Sequence, residues 1–143
     1  MNFYEYIDSL NTKRIAVIGA GVSNQPLIAL LCEHGCSVTV CDQRSEADMG
    51  ELAVLLKEQG AALHLGASYL EHLDAFDMIF RTPGLLPLNP ALLKAKDAGV
   101  EITSEMELFF RFCPCKTIAI TGSEPARTSF ETESCFKTCI SSF

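Results

Sequence analysis

Apolar residues follow two rhythms along the chain. Short unbroken runs occupy 15–19 (IAVIG), 37–42 (SVTVCD), 61–66 (AALHLG), 77–82 (DMIFRT) and 100–104 (VEITS). A short continuous apolar run bounded by turn residues predicts a strand buried on both faces. Between the runs, apolar positions return every three or four residues, at 24–34, 47–59 and 90–98. That spacing predicts helices with one buried stripe. Gly35, Gly60 and Gly99 stand where helices commonly stop. Pro26 falls in a first turn, where proline is tolerated. Residues 3–10 read as a short helix or turn, EMELFFRF (105–112) as a helix or part of one, and CKTIAITG (115–122) as a sixth strand.

Strands alternating with helices predict an α/β fold. The sheet is expected to be mostly parallel and Rossmann-like, with helices on both faces. In such sheets ligands sit outside the carboxyl ends of the strands, at a switch in strand order. The pattern changes at Pro125. The segment PARTSFETESCFKTCISSF has no Leu, Val or Gly, but four Ser, three Thr and three Phe. No amphipathic period runs through it, so 125–143 is expected to be a disordered, aberrant tail.

Composition narrows the function. A chain of 143 residues with 48% hydrophobic content suits one domain and buries a core without metals or disulfides. The net charge of −7 disfavours nucleic acid and anionic membrane surfaces, since both want a basic face. No signal-like or membrane-spanning apolar segment is visible, and the expected location is the cytoplasm. Seven cysteines fit reduced thiols used as small hydrophobes. Cys113-x-Cys115 and Cys135-x3-Cys139 make a poor zinc set.

Four places carry candidate chemistry. In I-G-A-G-V-S-N (18–24), Gly19 permits a tight turn and Gly21 lets the backbone approach a phosphate. The amides of Val22, Ser23 and Asn24 then open a helix, where anions are favoured. Asn24 stands where a dinucleotide fingerprint has its third glycine, which weakens a dinucleotide reading. Asp42 ends the second strand, 23 residues after Gly19, where a carboxylate can accept from a ribose hydroxyl or a base N–H. Arg44 can stack on a flat ring or reach a phosphate. Thr82, Pro83 and Gly84 end the fourth strand with a hydroxyl and a permissive turn. Finally, T-I-A-I-T-G-S-E (117–124) opens like a phosphate-binding loop through Thr121, Gly122 and Ser123. The lysine and hydroxyl that would complete it are replaced by Pro125, Ala126 and Arg127.

IAVIGAGVSNQP, VTVCDQR, RTPGLLPLNPALLKAKDAGVEITSEMELFF and CKTIAITGSE together resemble the Mur ligase family, in its D-glutamate-adding branch. The likeness spans about residues 5–124. It implies that 1–114 form a Rossmann-like domain binding the UDP part of UDP-N-acetylmuramoyl-L-alanine. It implies Val22 and Ser23 at the pyrophosphate, Asp42 accepting from uracil, Arg44 packing by the base, and Thr82, Pro83 and Gly84 lining its side. Residues 115–124 then begin a central ATP domain. In the complete family, ATP and Mg2+ activate the substrate carboxylate as an acyl phosphate, which the amine of D-glutamate attacks. The glycine-lysine-threonine after TGSE, the central magnesium ligands and the C-terminal domain are absent here, so this chain alone is expected to be inactive. The break at Pro125 is in keeping with a shifted reading frame. The competing expectation is an autonomous Rossmann module that binds NAD or another dinucleotide.

Overall fold

The computed structural model describes residues 1–114 and Lys116. Five strands form one sheet: β1 (Arg14–Ile18), β2 (Ser37–Asp42), β3 (Ala62–Leu65), β4 (Met78–Arg81) and β5 (Glu101–Ser104). Their order is β3-β2-β1-β4-β5, and every pair is parallel. The helices are α1 (Phe3–Ser9), α2 (Gln25–Glu33), α3 (Glu46–Met49), α4 (Glu51–Glu58), α5 (Pro90–Asp97) and α6 (Glu105–Phe112). The chain winds outward from β1 to β3, then returns to β4 on the other side of β1. Strand order therefore reverses between β1 and β4, which is the switch point expected of this topology.

β1 lies at the centre and is buried on both faces, as its unbroken apolar run requires. Ile15 and Val17 point into one core with Phe80, Leu27, Ile28, Leu31 and Leu56. Ala16 and Ile18 point into a second core with Ile79, Leu73, Leu92 and Ala95. The result is three layers, helix–sheet–helix. The first core is larger and also takes in Ile7 and Leu10 around α1 and Leu108 from α6.

Local polar groups set the helix starts. Asn2 accepts from the Glu5 amide at 2.9 Å and its own amide donates to Glu5 at 2.8 Å, a reciprocal cap on α1. Asn89 caps α5 through the Ala91 amide, and Ser104 caps α6 through the Glu107 amide. One expected helix divides. Instead of a single helix over 47–59, α3 and α4 are separated at Gly50, whose φ of 57° and ψ of −122° suit only glycine. At the amino edge of the sheet Arg14 and Asp77 join β1 to β4, with side-chain contacts of 3.1 and 3.2 Å. The expected sixth strand and the tail beyond Pro125 lie outside the described residues.

Candidate functional site

The carboxyl ends of β1, β2 and β4 bring three sequence motifs together. β1 runs into the turn 19–24, which feeds α2. Gly19 has a φ of +88°, and its amide donates to the Cys41 carbonyl at 2.7 Å. A side chain on Gly19 would place its Cβ 3.3 Å from the Thr82 Cβ. Thr82 therefore packs directly on Gly19, and the turns after β1 and β4 form one surface. Pro83 and Gly84 continue as an exposed turn, closed by the Leu85 amide donating to the Thr82 carbonyl at 3.1 Å. Gly21 is different from Gly19. Among the described residues nothing lies within 4 Å of a Cβ added there, so their packing does not demand glycine.

Asp42 ties the second strand to this turn. One carboxylate oxygen accepts from the Ala20 amide at 3.0 Å and from an Arg44 terminal nitrogen at 2.9 Å. The other accepts from the Arg44 amide at 2.9 Å and from Arg44 Nε at 3.0 Å. The paired Arg44 guanidinium, followed by the Ala20 and Arg44 amides, holds the Asp42 carboxyl down at about 2 against the opposing effect of burial. Asp42 is buried, whereas the Arg44 side chain is 43% exposed. The pair is thus anchored at its carboxylate and open at its guanidinium. A carboxylate has about four acceptor positions. All four are taken by the chain itself, so a uracil or ribose N–H or O–H reaching Asp42 must share or displace one of these donors.

Polarity in the glycine turn is sorted. Among the described residues no partner takes the amides of Gly21, Val22 or Ser23, and all three residues are exposed. The Asn24 amide is not part of that set. It donates to the Gly21 carbonyl at 3.1 Å, so the expectation that it faces a ligand is corrected. The Asn24 side chain is also turned inward, 1% exposed, with Nδ2 donating to the carbonyls of Ile18 at 3.2 Å and Gly19 at 2.9 Å. Its Oδ1 is buried with no partner among the described residues, which costs about 1–3 kcal/mol. Geometry therefore keeps Asn24 in the fold of the turn and leaves Gly21, Val22 and Ser23 as the outward groups.

Two participants escaped the sequence reading. Gln25 Nε2 donates to the Ala20 carbonyl at 3.3 Å. Gly66, after β3, donates its amide to the carbonyl of Asp42 at 3.0 Å. Neither residue belongs to a spacing that marks it in advance. Arg81, just before the T-P-G turn, leans towards Glu107 of α6 at 3.8 Å. Thr121, Gly122 and Ser123 lie outside the described residues. Cys36 and Cys41 are buried, and burial pushes their thiols up, Cys41 to about 11, in keeping with thiols acting as small apolar groups.

Sheet order and turn geometry define the class: a Rossmann-like α/β domain whose first glycine turn faces the switch point. Dipicolinate synthase, A chain, from Bacillus subtilis has the same kind of fold, with a TM-score of 0.52 at 18% identity over 77% of this chain and 38% of that one. Residues 13–104 match the family described as Mur ligase MurD-like, N-terminal domain, and the chain belongs to that family. It is 47% identical over 127 residues to the UDP-N-acetylmuramoylalanine–D-glutamate ligase of Clostridium novyi (strain NT). It is 44% identical over 128 residues to the enzyme of that name from Clostridium botulinum (strain Loch Maree / Type A3). These alignments cover 89% and 90% of this chain but 28% of each relative.

Proposed function

We propose that residues 1–114 bind the UDP group of UDP-N-acetylmuramoyl-L-alanine, as the N-terminal part of an ATP-dependent ligase that adds D-glutamate in peptidoglycan precursor synthesis. The observation that carries this reading is the row of unpaired amides at Gly21, Val22 and Ser23, set beside the open guanidinium of Arg44. The amides and the start of α2 attract the pyrophosphate. Such local dipoles are needed because the chain as a whole is anionic, at −7. The face of Arg44 packs on the uracil, Asp42 fixes that arginine and shares an oxygen with the base, and Thr82, Pro83 and Gly84 border the ring.

Gly21 provides the test, because a Cβ added there meets nothing within 4 Å among the described residues and the backbone is not in the left-handed region. In Gly21→Val the two methyl groups stand where phosphate oxygens approach. Calorimetric titration is expected to show UDP affinity reduced at least tenfold, about 1.4 kcal/mol, with uridine affinity and Tm little changed. Equal losses for UDP and uridine, or wild-type binding of NAD in preference to UDP, contradict the reading. The same reading gives this chain no ligation of its own, because Pro125 to Arg127 stand where a phosphate-binding loop needs glycine, lysine and a hydroxyl. D-glutamate-dependent ADP release by the purified chain contradicts that part.

A further inference from the structure

The carbonyls of residues 18–21 are as consistently occupied as the amides of residues 21–23 are free among the described residues. The Ile18 and Gly19 carbonyls accept from Asn24 Nδ2. The Ala20 carbonyl accepts from Gln25 Nε2 at 3.3 Å, with an Arg44 nitrogen at 3.5 Å. The Gly21 carbonyl accepts from the amides of Asn24 and Gln25 at 3.1 and 3.2 Å. Four consecutive carbonyl dipoles are thereby drawn towards the first turn of α2 or the arginine. A carbonyl rotating outward would present negative charge to an incoming anion and would cancel part of the attraction of the amides.

We propose that Asn24, assisted by Gln25, is a positioning residue that turns these four carbonyls inward, so that they do not oppose the outward amides of Gly21, Val22 and Ser23. Asn24 occupies the place where a dinucleotide fingerprint has glycine. A glycine there has no side chain to reach Ile18 and Gly19. The asparagine exchanges close approach of the helix for two internal hydrogen bonds. An anion then meets a loop that need not reorganise, which saves the ordering cost of binding. The residue itself touches no ligand, because its side chain is buried and its amide is engaged. This inference rests on the UDP reading for the identity of the anion, but not for the ordering of the loop.

Two variants and two readouts test it. Heteronuclear 15N relaxation of the ligand-free protein is expected to show residues 19–23 as rigid as α2 in the wild type. The same residues are expected to become mobile in Asn24→Ala and, to a smaller extent, in Gln25→Ala. Titrations with UDP and inorganic pyrophosphate are expected to weaken about tenfold in Asn24→Ala, the equivalent of one hydrogen bond. Uridine affinity is expected to stay within about twofold. If Asn24→Ala does not fold, Gln25→Ala carries both readouts. Unchanged loop relaxation in the folded variants overturns the proposal whatever binds. A parallel loss of UDP and uridine affinity overturns it also, since general damage to the fold acts on both. A rigid wild-type loop that binds neither UDP nor pyrophosphate contradicts the UDP reading instead, and the relaxation of the variants still decides the role of Asn24.

Discussion

Asp42 joins stability to the site. Its folded carboxyl titrates at about 2 against an ordinary 3.8, chiefly because Arg44 is hydrogen-bonded to it. A folded value below the unfolded one means the contribution is present above about pH 4 and is lost as pH falls through about 2. Asp42→Asn is therefore expected to be less stable than wild type by about 2 kcal/mol at pH 7. The gap should narrow below about pH 4 and close as pH falls through about 2, as denaturant melts near neutrality and at about pH 2 would register. A gap independent of pH would show that the pair contributes little. At this scale the sequence was informative about position but not about partner. The place of Asp42 after an apolar run marks a strand end, yet nothing in the spacing reveals that Arg44 and Ala20 occupy its acceptors. Asn24 shows the same gap. Its departure from glycine is visible in the sequence, but whether its amide faces outward or into the turn depends on the Ile18 and Gly19 carbonyls, which only the folded turn brings within reach.

The elements were legible wherever an apolar run met a clear stop. All five described strands fall within the runs read from the pattern, give or take a residue at each end. The exception is the helix read over 47–59. Its apolar spacing is continuous, and a lone glycine inside such a pattern is ordinarily tolerated. Two local features divide it. Ser45 and Asp48 form a reciprocal cap that starts α3, and Gly50 then takes a backbone conformation that no other residue adopts cheaply. Gly50→Ala is expected to cost about 1–3 kcal/mol despite open space around the added Cβ. A Tm within a degree of wild type would mean that α3 and α4 fuse without penalty. Met106 and Phe110, one turn apart, remain 39% and 50% exposed on the last described helix.

Across the whole molecule, connection rules do most of the work. Parallel strands joined by helices cross over with one hand, so a chain that winds outward and then restarts beside β1 leaves a crevice at β1 and β4. The Gly19–Thr82 contact is the direct expression of that crevice. The two edges of the sheet have separate tasks. Arg14 and Asp77 hold β1 to β4 at the amino edge, while Asp42, Arg44 and the glycine turn stand at the carboxyl edge. On the proposed function, the free amides of the first turn receive a pyrophosphate. The most direct measurement is a 15N-edited titration of the wild-type chain with UDP. The resonances of Gly21, Val22 and Ser23 are expected to move most, with Arg44 Nε following and the Arg14–Asp77 edge unmoved. Saturating UDP that leaves residues 21–23 in place would contradict it.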